Sequence, residues 1–322
     1  MTRLFAWLFV LLIGVTAPVA AGAQAFPSRP IRIVIGFGPG GLADVTMRIV
    51  AQKLTDLTGQ QVIVDNKPGA GGVLAANTVT SARPDGYTLL VMTNGTAISR
   101  ALFKSLAFDP VADFRPISTV AYFDVLVLAN GTSPMRTLSD VLATAKAKGG
   151  GFNIGTINPG STQNLTGQLF KAKAGIDAAV VAFRTTPDVL TALVRGDIDI
   201  GFETYTALKA AIDAGQIRAL AGTGEARSPV LPSVPTAKEA GLADFVVVGW
   251  NALVAPAQTP PEMIEILHRH IKTVVEMPDV RQRFLEMGSE AGSSTPQQLG
   301  DRLKADIAKW NAVIDQAGIE RQ

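Results

Sequence analysis

Two long strand patterns, Val120–Ala129 and Phe245–Val254, interrupt an otherwise regular alternation of strand-like and helix-like segments. Before the first, Ile31–Ile35, Gln61–Val64 and Tyr87–Met92 are short β-branched or apolar runs, with helix patterns at Leu42–Leu57 and Gly72–Ala82. Between the long runs lie strand patterns at Phe152–Gly155, Ala178–Ala182, Ile198–Phe202 and Ile217–Ala221, with helices opening at Thr162 and Pro187. Past Pro260-Pro261 the chain reads as helix. Such alternation implies parallel sheet with crossover helices. Two long strands bracketing a middle series imply a second domain inserted into the first. The expected fold is α/β: two βα lobes joined by two crossover strands around a ligand cleft. Lobe 1 takes residues 26–124 and 247–322, and lobe 2 takes 125–246. One continuous doubly wound sheet is the alternative. A double crossover makes a hinge, and clefts between domains are where small ligands bind.

Residues 1–25 read differently from the rest. Arg3 precedes the apolar run Leu4–Val19 and the small-residue segment Ala20–Ala25. A basic start, a short apolar core and an A-x-A end describe a secretory leader, here with cleavage expected after Ala25. The run is shorter than the ~20 residues a membrane span needs. The chain has no cysteine, which excludes a lipid anchor at the new N-terminus, disulfides, zinc-thiolate sites and thiol nucleophiles. The 322 residues allow two domains, and a net charge of +2 gives nucleic acid nothing to bind. The expected mature protein is a periplasmic monomer without a stable membrane anchor.

Gly36-Phe37-Gly38-Pro39-Gly40-Gly41 follows a strand and precedes a helix. Gly36, Gly38 and Gly41 satisfy G-x-G-x-x-G, and Asp65 ends the next strand where a ribose-binding acid would stand. Export, the amide lost at Pro39, and the turn-like Asn66-Lys67-Pro68-Gly69 after Asp65 all count against a dinucleotide. The more general reading is an anion site, because a helix start presents unpaired N–H groups and a positive dipole end. Gly40, Gly41, Leu42 and Ala43 supply the candidate amides, and Asp44 can cap the first turn. A tight turn without ligand is the bland reading. A second loop of the same kind, Asn158-Pro159-Gly160-Ser161-Thr162-Gln163-Asn164, links strand to helix in the middle domain. Alone it reads as a Ser/Thr cap; paired with the first, it makes two loops facing each other across one cleft. Phe37, Asn94, Thr96, Asn158, Gly160, Ser161, Thr162 and Gln163 join the candidate ligand contacts.

The order of several short motifs adds to this. Phe26-Pro27-Ser28-Arg29-Pro30-Ile31 starts the mature chain, followed by Gly40-Gly41-x-x-Asp44, Asp65-Asn66-Lys67-Pro68-Gly69-Ala70-Gly71-Gly72 and Pro84-Asp85-Gly86-Tyr87. Asp109-Pro110-Val111-Ala112-Asp113-Phe114, Pro159-Gly160-Ser161-Thr162-Gln163, Ala214-Gly215-Gln216-Ile217-Arg218, Leu231-Pro232-Ser233-Val234-Pro235-Thr236 and Ala255-Pro256 complete the series. Over the whole mature chain the sequence resembles the periplasmic substrate-binding proteins of tripartite tricarboxylate transporters, or Bug receptors. The resemblance implies a type II periplasmic-binding-protein fold, hinged closure on a carboxylate, and delivery to a large and a small inner-membrane permease subunit.

The chain also departs from that pattern. Leu42 and Ala43 replace a Ser-Thr pair, which removes two hydroxyls and implies a less polar pocket. Phe183-Arg184-Thr185 stands where Tyr-Lys-Gly is common, and Arg184 offers a planar fork for a carboxylate or, equally, a rim salt bridge. Glu203-Thr204 replaces an Asp-Asn pair; Glu203 could hold a ligand amine or a water, or be a solvated helix cap. The implied ligand is a small carboxylate less polar than citrate, aromatic or branched.

Catalysis has little to stand on. His268 and His270 lie two apart and so point to different faces of a helix. Ser161 lacks the G-x-S-x-G frame. No catalytic residue, cofactor or metal is expected. The alternatives to transport are a sensory receptor for a two-component kinase and an exported carboxylate-processing enzyme.

Overall fold

The computed structural model describes residues 26–69, 72–316 and 320–321; the expected leader, 1–25, lies outside them. The first segment runs β1 (Ile31–Ile35), α1 (Leu42–Thr58), β2 (Val62–Asn66), α2 (Val73–Thr80), β3 (Thr88–Thr93), α3 (Asn94–Leu102) and β4 (Phe114–Asp124). The middle segment runs β5 (Leu126–Asn130), α4 (Leu138–Lys148), β6 (Phe152–Ile157), α5 (Thr162–Ala174), β7 (Ala178–Phe183), α6 (Thr186–Arg195), β8 (Ile200–Glu203), α7 (Tyr205–Asp213) and β9 (Ile217–Gly222). The chain then returns through β10 (Val248–Pro256), α8 (Pro261–Val275), α9 (Pro278–Glu286), β11 (Ser289–Ala291) and α10 (Pro296–Gln316).

These strands form two sheets, ordered β11-β4-β10-β3-β1-β2 and β7-β6-β8-β5-β9. The central strands are parallel, β1 with β2 and β3, and β6 with β7 and β8. In each sheet a crossover strand is antiparallel to them: β10 beside β3, and β5 beside β8. The two sheets exclude the single continuous one.

Central strands bury residues on both faces because helices cover both, as with the adjacent Ile33 and Val34 of β1, which point to opposite sides and are both fully buried. On one side of the first sheet Ile33, Leu89 and Leu253 pack with Met47 of α1 and Ile271 of α8. On the other, Val34, Leu90 and Trp250 pack with Leu299 and Leu303 of α10. The Trp250 indole donates to Asp306 (2.7 Å), which fixes α10 to the first lobe. The second lobe is centred on Phe170, Phe202 and Phe245, whose rings meet one another at angles.

The pattern Val120–Ala129 is two strands in two sheets, not one. The break falls at Asp124–Val125, and the sequence hides it because Asp124 is the one charged residue in an otherwise hydrophobic run. Thr223 ties the crossing strands together. Its hydroxyl accepts from the Val125 amide (3.1 Å) and donates to the Val247 carbonyl (2.7 Å). Four further elements escaped the sequence reading: α3, α4, α7 and the short β11 in the C-terminal run.

Candidate functional site

The first glycine turn needs glycine at one point in particular. Gly40 adopts φ 83°, in the left-handed region, and Gly41 follows as the N-cap of α1 with no side-chain cap. The first intrahelical bond is Val45 N–H to the Gly41 carbonyl (3.0 Å). The amides of Leu42, Ala43 and Asp44 therefore precede the ladder, and none has a partner among the described residues. Gly40 differs: its amide donates to the Asp44 carboxylate (3.0 Å) and is not open to a ligand. Asp44 also receives the Arg48 guanidinium, with Nη2 2.8 Å from Oδ1. Burial pushes its pKa up, but hydrogen bonds from Arg48 and Gly40 outweigh that and hold it below the usual carboxylate value. The carboxylate is thus charged, and Arg48 balances it. Asp65, the candidate ribose acid, is instead paired with Arg32 on the neighbouring strand.

Across the cleft, Gly160 has φ 80° and Ser161 is the N-cap of α5, its hydroxyl accepting from the Asn164 amide (3.0 Å). Thr162 donates its hydroxyl to the Asn94 side chain at the start of α3, in the other lobe. Gly95 lies against this helix start so closely that an added Cβ would stand 2.5 Å from the Gly160 carbonyl oxygen and 2.6 Å from the Ser161 carbonyl carbon. A Cβ on Gly38 would stand 2.7 Å from Thr185 Cγ2 in the same way. The Thr206 hydroxyl of α7 donates to the Met287 carbonyl of the first lobe (2.7 Å). The lobes are closed on one another, with glycine along the seams.

Between them lies a cavity of about 30 Å3, counted as the space open to the centre of a water molecule. Of the residues singled out by sequence, Phe37, Gly41, Leu42, Ala43, Asp44, Thr162, Gln163 and Arg184 line it. Arg184 is exposed and makes no ion pair among the described residues, so the rim salt bridge is replaced by an unpaired guanidinium at the mouth.

The other candidates stand back from the cavity. Asn94 and Gly160 belong to the lobe seam, Thr96 shares hydrogen bonds with Thr93, and Phe183 packs on the core. Asn158 is buried behind the α5 loop, its carbonyl receiving the Ser161 amide (3.1 Å). Glu203 is not a solvated cap, and it does not line the cavity. It is fully buried and accepts from the Thr186 hydroxyl (2.6 Å), the Thr204 amide (2.6 Å) and the Gln163 amide group (3.2 Å). Burial pushes its pKa up, and these bonds offset only part of that. Its effect is to hold Gln163 and Thr186, which do line the cavity.

Gly38, Thr93, Phe123, Ile157, Thr185, Thr186 and Asn251 also line the cavity. Sequence reading missed them. Thr185 and Thr186 had one available signal, the capping box Thr185-x-x-Asp188 that opens α6. Among the described residues no group of three His, Cys, Asp or Glu side chains could hold a metal, and no helix is long and apolar enough to cross a membrane.

A family model described as "Tripartite tricarboxylate transporter family receptor" matches residues 46–319. A UPF0065 protein from the TAR-I ttuE-ttuC' intergenic region of Agrobacterium vitis is 34% identical over 96% of this chain and 90% of its own. Among solved structures, MatC from Rhodopseudomonas palustris with bound malate is 32% identical, with TM-score 0.85 over 90% of this chain and 100% of that one. Another R. palustris protein, with adipate, is 29% identical, with TM-score 0.88 over 91% of this chain and 98% of that one.

Proposed function

The chain belongs to the family of tripartite tricarboxylate transporter receptors, and from that premise we propose that it captures a small carboxylate of low polarity and hands it to a large and a small inner-membrane permease subunit. Members of this family are periplasmic solute-binding receptors, not enzymes. We place the lobe boundaries where the chain crosses, 26–124 with 247–322 and 125–246, and assign residues 1–25 to a leader removed on export.

One observation carries the ligand reading: Leu42 and Ala43, whose amides have no partner among the described residues, line a cavity whose other walls include Phe37, Phe123 and Ile157. Three unpaired N–H groups and the positive end of a 17-residue helix favour an anion. The neutralised Asp44–Arg48 pair leaves that preference intact, and Arg184 at the mouth adds to it. Closure removes water, which strengthens each charge–dipole contact. Relatives of similar fold hold malate and adipate, both small carboxylates. With side chains of Leu42 and Ala43 in place of hydroxyls, the body of the ligand meets carbon.

Calorimetry of the purified protein against citrate, glutamate, benzoate and branched acids tests this. A branched or aromatic acid should bind at least about tenfold tighter than citrate, about 1.4 kcal/mol; tighter binding of citrate would overturn the low-polarity assignment. Trp250 is a poor fluorescent reporter here, since it faces α10 on the far side of β10 from the cavity.

A further inference from the structure

The polar side chains around the cavity are nearly all committed to the protein. Asp44 is held by Arg48, Thr93 by Thr96, Thr162 by Asn94, Gln163 and Thr186 by Glu203, and Thr185 by Asp188. Among the described residues Arg184 and Asn251 are the exceptions. Arg184 is exposed at the mouth. Asn251 is 1% exposed, and neither its Nδ2 nor its Oδ1 has a partner.

Asn251 is also out of place by the local rules. It sits inside β10, where its strand neighbours Trp250, Ala252, Leu253 and Val254 are apolar and buried. Asparagine is disfavoured in strands, and a buried amide without partners is costly. The pairing of β10 with β4 skips Val120 between Asn251 and Ala252, so the irregularity lies on β4, and β10 keeps its alternation with Asn251 on the face opposite Trp250. The partner of Asn251 on β3 is Thr93, which lines the same cavity. A local rule broken inside an otherwise consistent strand marks a functional position.

We infer that Asn251 is a specificity-determining residue, which selects an acid carrying one carboxylate and, at its other end, a neutral group that both donates and accepts a hydrogen bond, such as a hydroxyl or a carboxamide. This inference rests on the carboxylate reading of the cavity. An amide side chain offers Nδ2–H as donor and Oδ1 as acceptor together. A second carboxylate on the ligand satisfies the donor and sets a negative oxygen against Oδ1. A plain hydrocarbon end satisfies neither. A hydroxyl or carboxamide answers both, while the carboxylate at the opposite end takes the α1 amides.

The test is calorimetry with three matched series: ω-hydroxy acids from 4-hydroxybutanoate to 6-hydroxyhexanoate with the corresponding monoamides, the parent unsubstituted acids, and succinate, glutarate and adipate. At one length the hydroxy acid or monoamide should bind about tenfold or more tighter than both the parent acid and the diacid. Asn251→Leu should erase that difference, and Asn251→Ser, which keeps a donor and an acceptor on a shorter arm, should retain it with a ligand one carbon longer. Thermal melts confirm that each variant is folded. Tightest binding of a diacid, or a preference that survives in Asn251→Leu, overturns this inference and leaves the carboxylate receptor standing. If no acid in any series binds, this inference falls; only if benzoate and the branched acids fail to bind as well does the carboxylate reading fall with it.

Discussion

The starts of α1 and α5 share a backbone plan and differ by one hydroxymethyl group. Each follows a parallel strand, each has a glycine in the left-handed region, at φ 83° and 80°, and each has an extended residue as N-cap. At α1 the cap is Gly41, which has no side chain to offer, so the first amides stay open toward the cavity. At α5 the cap is Ser161, whose hydroxyl takes the Asn164 amide, and the turn is pressed against Gly95 of the opposite lobe. A helix start can bind an anion or cap itself with its own side chain. On our reading the first lobe, with three open amides, keeps the anion site, and the second lobe, where Ser161 takes the Asn164 amide and leaves those of Thr162 and Gln163 uncapped, uses its helix start mainly for closure.

The sharpest way to break this comparison is Gly95→Ala. The new Cβ collides with the α5 turn only in the closed form, and alanine is otherwise the better helix residue. Ligand affinity should fall about hundredfold as the closed population is lost, with the melting temperature unchanged or slightly raised. Unchanged affinity by calorimetry would mean that the α5 turn is not a closure seam.

The cavity-lining Asp44 and the buried Glu203 behind the cavity wall should also titrate in opposite senses. Asp44, lowered from 3.8, contributes stability above that value and loses it as the pH falls below. Glu203, raised from 4.5, contributes fully below 4.5 and loses its contribution as the pH rises through its raised value. Each slope is at most about 1.4 kcal/mol per pH unit. Urea unfolding across pH should show Asp44→Asn flattening the acid limb and Glu203→Gln flattening the decline above 4.5. The same limb flattened by both variants would contradict the assignment.

Gly41→Ser makes the first helix start resemble the second. Gly41 already has φ −81° and ψ 169°, which serine adopts freely. The added hydroxyl should cap α1 and compete with the ligand, raising stability by roughly 0.5–1 kcal/mol and weakening binding about fivefold. The reciprocal change has the smallest reach. Ser161→Ala should cost about 1 kcal/mol of stability in denaturant melts and leave affinity within about twofold. A large affinity loss there would make the α5 start a ligand site after all.

The sequence made some of this readable and hid the rest for physical reasons. The glycine turn was legible because a left-handed residue between a strand and a helix calls for glycine, and the following apolar pattern fixes where α1 begins. The inserted middle segment was legible from the strand patterns that bracket it. The boundary at Asp124–Val125 was legible there too, but that the run breaks into two strands was not, since Asp124 is the one charged residue in an otherwise hydrophobic stretch. The α3 helix opens with Asn94-Gly95, a pair that reads as a turn, and its packing partner α5 is more than sixty residues away in the chain. Glu203 could be seen as unusual but not placed, because its partners Gln163 and Thr186 come from two other elements. Asn251 gave no signal, for a single polar residue in a strand has no spacing to read.

The amide resonances of the two helix starts test the central claim most directly. In a 15N-labelled sample titrated with the tightest-binding carboxylate, Leu42 and Ala43 should show the largest downfield amide-proton shifts, with those of Thr162, Gln163 and Asn164 small. The largest shifts at Thr162–Asn164, with Leu42 and Ala43 unmoved, would contradict the account.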